Sequence, residues 1–347
     1  MTKQDQRVGK DGVAIQSGGD TTFNAGLSPD DVKQIIESIA SQLPAYAAVA
    51  KEIVDARLVD FEKRIIDRFD QDPNVDRQAF ADPDFQYLLL QAQQSHARSG
   101  DKDTADLLVD LIAERSKAKE RDRLALTLNQ AVEIVPNLTI NEIAELSICY
   151  LFTRTQYHAA NTLDDFYKML NQRINPYIDD IATSQSSYEF LEAQRCANIS
   201  VLENKFFELL SGPYSAFFSK GFSEDQVVQI STELAPLTPN LFMQCLADPA
   251  KFQLRAMSEE VWKQLAAQAS LSDSHREALW KLSQDNLMSR EEGITMLLPH
   301  VPRIREMADL WDGSPLRQLR LTAVGTAIAY SYASTHGFKA DISIWIN

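Results

Sequence analysis

Turn-forming residues are scarce in this chain, with 12 glycines and 13 prolines among 347 residues. An all-β sandwich needs many more of them, so that class is excluded. The cysteines, Cys149, Cys196 and Cys245, are odd in number and far apart, each inside an apolar, helix-like stretch. That pattern excludes a disulfide framework and reads as reduced thiols in the core of a cytoplasmic protein. The five histidines (His96, His158, His275, His300 and His336) stand singly, with no H-x-x-x-H or C-x-x-C spacing. No metal ligand set and no cofactor are therefore expected. No run of eighteen apolar residues occurs, and the first residues lack the apolar stretch of a signal peptide. The expected location is the cytoplasm.

Catalytic motifs are also missing. There is no G-x-S-x-G, and the Gly18–Gly19 pair lacks the lysine and the following helix of a phosphate loop. No catalytic or cofactor-binding residue can be named. Positive charge is in deficit, 34 basic against 49 acidic residues for a net charge of −15, which disfavours nucleic acid as a partner. The one local basic run, Glu114–Arg123, reads as a solvated helix face carrying i,i+4 pairs. Adjacent acidic pairs (Asp30/Asp31, Asp164/Asp165, Asp179/Asp180, Glu259/Glu260, Glu291/Glu292) point about 100° apart on a helix, so they read as first-turn or solvated residues. His336, just before Gly337, reads as a helix C-terminal residue.

What is present is mainly helical. Hydrophobic residues make up 44% and charged residues 24%, ordinary for a globular chain. The leader, residues 1–27, has Val13, Ile15, Thr21 and Phe23 alternating around Ser17–Asp20, a short β-hairpin signal. An isolated hairpin is marginal in water, which makes the leader an oligomerisation candidate. Ser28 as N-cap, Pro29 at the first helical position and Asp30–Asp31 against the dipole then open a long helix over 28–70. Its apolar residues Val32, Ile36, Ile39, Leu43, Tyr46, Ala50 and Ile53 step by four and three, a heptad seam. The phase then shifts to Val54, Leu58, Phe61, Ile65 and Phe69. Pro44 is expected to kink or break this helix. Val13, Ile15, Phe23, Val32, Ile36 and Ile39 are the interface candidates.

A turn-rich segment at 70–84 marks a boundary. Helices are expected at 82–97, 101–118, 121–134, 140–156, 161–182 and 185–211, in a domain spanning 82–215. A second domain, 216–347, contains shorter helices, including one at "PNLFMQCLA" (residues 239–247). It closes with a winged-helix-like strand-helix-strand unit whose second strand is "DISIWI". Glu133–Ile143 is echoed at Glu233–Phe242, which raises the question of an internal repeat. Tyr214, Phe217, Phe218 and Phe222 cluster in one aromatic stretch, either a loop pinned to the core or a groove for a partner or ligand.

The two ends of the chain carry a resemblance. "GDTTFNAGLS" (Gly19–Ser28), "LTAVGTAIA" (Leu321–Ala329) and "DISIWI" (Asp341–Ile346) resemble a family of uncharacterised bacterial proteins with a G-D-x-T-x-N-x-G-L-S leader, an L-T-x-x-G-x-A-I-A segment and a terminal D-x-S-I-W-I element. That resemblance implies no known activity. Similar leaders occur on proteins of mobile genome regions, which by analogy implies a part in phage defence or another mobile-element function. The expectation from the residues is a self-associating scaffold or interaction protein that also holds a protein partner. The alternatives are an enzyme or toxic effector with a site of dispersed acidic and aromatic residues, and a winged-helix-like nucleic-acid binder.

Overall fold

The computed structural model describes residues 29–118, 121–157, 162–234, 236–256 and 258–346. Val13, Ile15 and Phe23 lie outside the described residues, as does the expected leader hairpin, and so do the side chains of Val32 and Ile39. The chain divides into two units, one up to Asp55 and one from Ala56 onward. Helix α1 (Pro29–Gln71) is continuous, with Pro44 inside it. The expected break does not occur, because proline removes one hydrogen bond, to the Ala40 carbonyl, and Ala40 is exposed and can be solvated.

Four helices follow: α2 (Pro83–Ser99), α3 (Lys102–Lys117), α4 (Arg123–Ile134) and α5 (Ile140–Thr153). Short aspartates start three of them. Asp82 accepts from the Asp84 N–H, Asp101 from Thr104 and Asp122 from Ala125, each satisfying an otherwise orphaned donor of a first turn. Gly100, at φ 64°, ends α2 in the left-handed conformation that glycine adopts without strain. Next come α6 (Leu163–Ile174), α7 (Gln185–Ala193), β1 (Ala197–Ile199), α8 (Phe206–Ser211), α9 (Glu224–Val228), β2 (Phe242–Gln244) and β3 (Phe252–Leu254). The chain closes with α10 (Glu259–Gln268), α11 (Asp273–Asp285), α12 (Arg290–Leu297), α13 (Ile304–Gly313), β4 (Leu319–Leu321) and α14 (Ala323–Thr335). The mainly α reading therefore holds.

Three local expectations change. The long helix expected over 185–211 is broken: Arg195 takes φ 60°, ending α7, and β1 pairs antiparallel with β4 in the register Ala197↔Leu321. The helix expected at 239–247 is instead β2, paired with β3 through Phe242↔Leu254. With it goes the internal repeat, since Leu138–Thr139 opens a helix while Leu237–Thr238 precedes a strand. The closing "DISIWI" is not a strand but a 3-10 turn, Ile342–Ile344, fixed by the Asp341 carboxylate accepting from the Ser343 N–H. A strand would place Ile342, Ile344 and Ile346 on one face, whereas the turn buries Ile342 and Ile346 and leaves Ile344 exposed.

Helix α14 is the centre of the body. It is buried from Val324 to Ala333 and packs on α5, α3 and α4. A helix covered on all sides is apolar all round, and a helix so enclosed cannot lie in a nucleic-acid groove, which removes the main prop of the winged-helix reading. The "LTAVG" segment has a physical reason. The Thr322 hydroxyl caps α14 at the Gly325 N–H and lies 3.0 Å from the Cys196 carbonyl oxygen. A Cβ on Gly325 would sit 1.9 Å from that same oxygen, so only glycine lets α14 approach the chain entering β1. The main core draws on residues from Phe61 to Phe218 and again from Ile294 to Ile346, running across the expected boundary at 215. A second cluster gathers Phe222, Phe242, Leu254, Trp262 and Leu279.

Candidate functional site

Helix α1 shows two different faces along its length. Every described side chain from Lys33 to Ile53 is exposed, and the seam residues Ile36, Leu43, Tyr46 and Ile53 are 59, 55, 57 and 46% accessible. In heptad terms Ile36, Leu43 and Ala50 are a positions, and Tyr46 and Ile53 are d positions. Their flanks carry Ala40, Gln42, Ala47 and Val49 in place of opposed charges. From Phe61 onward the same helix buries its apolar stripe: Phe61, Ile65 and Phe69 join the main core. Of the six interface candidates, Ile36 alone has a described side chain, and it is exposed.

The aromatic groove candidates separate as well. Phe217 stacks on Phe166 at 4.7 Å, Phe218 meets Phe207 at 5.1 Å, and Phe222 belongs to the second core cluster. All three are fully buried, because their rings fill space between helices. None of the three lines either of the two clefts below. Tyr214 differs, since it borders a cleft of about 660 Å³ at the C-terminal end of α5.

Two clefts carry charge in opposite ways. The larger, about 830 Å³, lies along the second half of α1, α3 and the end of α14. Arg68 donates through Nε and Nη2 to Asp110 Oδ1 at 3.1 and 3.0 Å, and through Nη1 to Asp72 at 3.0 Å. Lys117 bridges Asp72 and Glu114 at 2.9 and 2.7 Å. Burial pushes the Asp110 and Glu114 carboxyls upward against the pull of Arg68 and Lys117. Asp72 is held low despite its burial by hydrogen bonds from Lys117, the Asn74 N–H and Arg68. Here acids and bases are matched, and the network clamps α1 to α3. Part of it comes from the run read as a solvated face. Glu114, Arg115 and Ser116 are buried instead, and Arg115 joins Asp84 and Asn129 at 2.9 and 3.0 Å.

The 660 Å³ cleft is unmatched. Arg173, on α6, is 6% exposed, and its Nη1 donates to the Leu151 and Thr155 carbonyls at 2.7 and 3.5 Å. Among the described residues no carboxylate pairs with it. The Tyr214 hydroxyl lies beside it and accepts from the Tyr157 N–H at 2.6 Å. Arg154 and Lys339 stand on the walls with Tyr157, Phe338 and Trp345, and Glu208 is the one carboxylate on the lining. Neither Arg154 nor Arg173 was singled out from the sequence. Yet Arg173 sits on the apolar stripe Phe166–Leu170–Ile174, and a cation in that phase is the signal that marks it.

A further buried acid, Glu145, lies outside both clefts. It is fully buried beside Glu142, with the Ser187 hydroxyl 2.9 Å from its Oε1, and burial raises its carboxyl to about 8. The acidic pairs sit in short helical first turns as expected, Asp164–Asp165 in α6, Glu259–Glu260 in α10 and Glu291–Glu292 in α12. Among the described residues no group of three or more His, Cys, Asp or Glu side chains could hold a metal, and no helix is long and apolar enough to cross a membrane. His336 ends α14, its Nδ1 2.9 Å from the Tyr332 carbonyl. All three cysteines are free and buried. No curated protein and no solved structure matches the chain. A family model does match, over residues 26–346, and the chain belongs to that uncharacterised family.

Proposed function

We propose that this chain is a self-associating scaffold or interaction protein of the cytoplasm, joined to further copies through the first half of α1. One observation carries the reading: the seam Ile36–Leu43–Tyr46–Ile53 is apolar, in heptad register, and about half exposed. Such seams bury themselves against an equivalent helix. From Val32 to Ile53 the register spans roughly 30 Å at 1.5 Å per residue. A second copy suits this surface because its flanking positions hold alanine, valine and glutamine, so a symmetric contact brings no like charges together. The family resemblance adds phage defence or another mobile-element role as the biological setting, with the helical body free to hold a protein partner.

The test is solution mass by light scattering after gel filtration, comparing the full chain, a chain lacking residues 1–27, and Leu43→Glu/Ile53→Glu. A defined oligomer that the double substitution reduces to 39 kDa supports the reading. Loss of the oligomer on truncation as well assigns part of the contact to the leader. A full chain that is already a monomer overturns it.

A further inference from the structure

We propose that the cleft lined by Arg173, Arg154, Lys339, Tyr157, Tyr214 and Trp345 binds a small phosphorylated ligand with a planar ring, a nucleoside monophosphate being the simplest. The argument begins with a charge imbalance. A guanidinium taken out of water costs several kcal/mol unless an anion and hydrogen bonds compensate it. Arg173 is buried, bonds two carbonyls at the end of α5, and has no carboxylate partner among the described residues. The negative end of the α5 dipole, about half a charge, offsets only part of this. Both carbonyl bonds leave from Nη1 and the Tyr214 hydroxyl accepts a further one, so the guanidinium, with five N–H donors, still has donors to offer an oxyanion.

The walls extend the same chemistry. Arg154 and Lys339 add two cations that form no ion pair among the described residues, against the single carboxylate of Glu208. In a chain of net charge −15, a cation-rich concavity departs from the overall field, and a low-dielectric cleft focuses such a potential. The contrast with the larger cleft is instructive, because there every buried cation already has its acid. The Tyr214 hydroxyl accepts from the Tyr157 amide and keeps its own proton to donate.

Aromatic surface supplies the second half of the specificity. Tyr157 is 41% exposed, and Trp345 is half-buried and anchored by its indole N–H to the Arg154 carbonyl at 2.8 Å. Rings held in this way stack on a nucleobase. A cleft of about 660 Å³ is within the range of small-molecule sites. This proposal does not depend on self-association.

The experiment is calorimetric titration of the full chain at low salt with AMP, inorganic phosphate and adenosine. AMP is expected to bind, phosphate to bind more weakly, and adenosine not at all. Arg154→Glu/Lys339→Glu reverses both wall cations, Arg154 also giving up its bond to the Leu321 carbonyl, and is expected to weaken AMP at least tenfold in a chain that remains folded. Tyr157→Ala is expected to weaken AMP while leaving phosphate unaffected. Absence of binding by both AMP and phosphate to the wild-type chain overturns the proposal, whatever the variants do. So does AMP affinity that survives the double charge reversal.

Discussion

The two halves of α1 obey the same apolar periodicity and meet opposite fates. Around Leu43 the stripe faces solvent, whereas around Phe61 an equivalent stripe is sealed in the core. The second half also carries cations, Arg64 and Arg68, that find acids on α3. Periodicity therefore reports that a helix has an apolar face, and it leaves open what covers that face. A face sealed within the chain contributes to folding. One left open contributes to association.

Substitutions can separate these two roles. Phe61→Ala is expected to cost about 3–5 kcal/mol of folding stability, the usual range for emptying an aromatic site in a core, read by urea unfolding. Its effect on solution mass should be absent while the chain remains folded. Arg68→Ala leaves Asp110 buried without its cation, and breaking such a pair costs about 3–5 kcal/mol. If Arg68→Ala proves neutral, the network does not clamp α1 to α3. Gly325→Ala forces a methyl group against the Cys196 carbonyl and is expected to lower stability by about 1–3 kcal/mol, as overpacking does. At the other end of the scale, Leu43→Glu should change unfolding free energy by less than about 0.5 kcal/mol, as surface substitutions do, while lowering the solution mass. A large stability loss in Leu43→Glu would mean that the first half is covered within its own chain.

The same contrast applies to buried charge with and without a partner. Glu145 has no cation beside it among the described residues, and burial raises its carboxyl to about 8 in the folded chain against an ordinary value of 4.5. The unfolded chain releases this proton from about pH 4.5, and the folded chain holds it until about 8. Its contribution to stability is therefore full below pH 4.5, declines as pH rises, and stops declining above about 8. Glu145→Gln should flatten that part of the stability–pH curve and leave the variant more stable than wild type at pH 8. Parallel curves for the two proteins from pH 5 to 8 would refute the assignment.

Much of the helical body was legible in the chain. The helices expected over 82–97, 101–118 and 121–134 match α2, α3 and α4 to within two residues at each end, because helix period and capping depend on residues only a few positions apart. The failures are non-local. The chain after Ala193 leaves the helix to pair with β4, more than a hundred residues away, and no local pattern records that partner. For Phe217, Phe218 and Phe222 the sequence left both core and groove open, since aromatic composition does not report burial.

The sequence by itself determined the mainly helical class, the caps, and the heptad register of α1, all consequences of short-range hydrogen bonding and side-chain period. Tertiary structure alone decided which charges are balanced. Arg68 meets Asp110 across 42 positions, Arg173 meets no acid among the described residues, and Glu145 is enclosed beside Glu142. The reason is that the energy of a charge depends on its distance to other charges and on its separation from water. Folding sets both quantities.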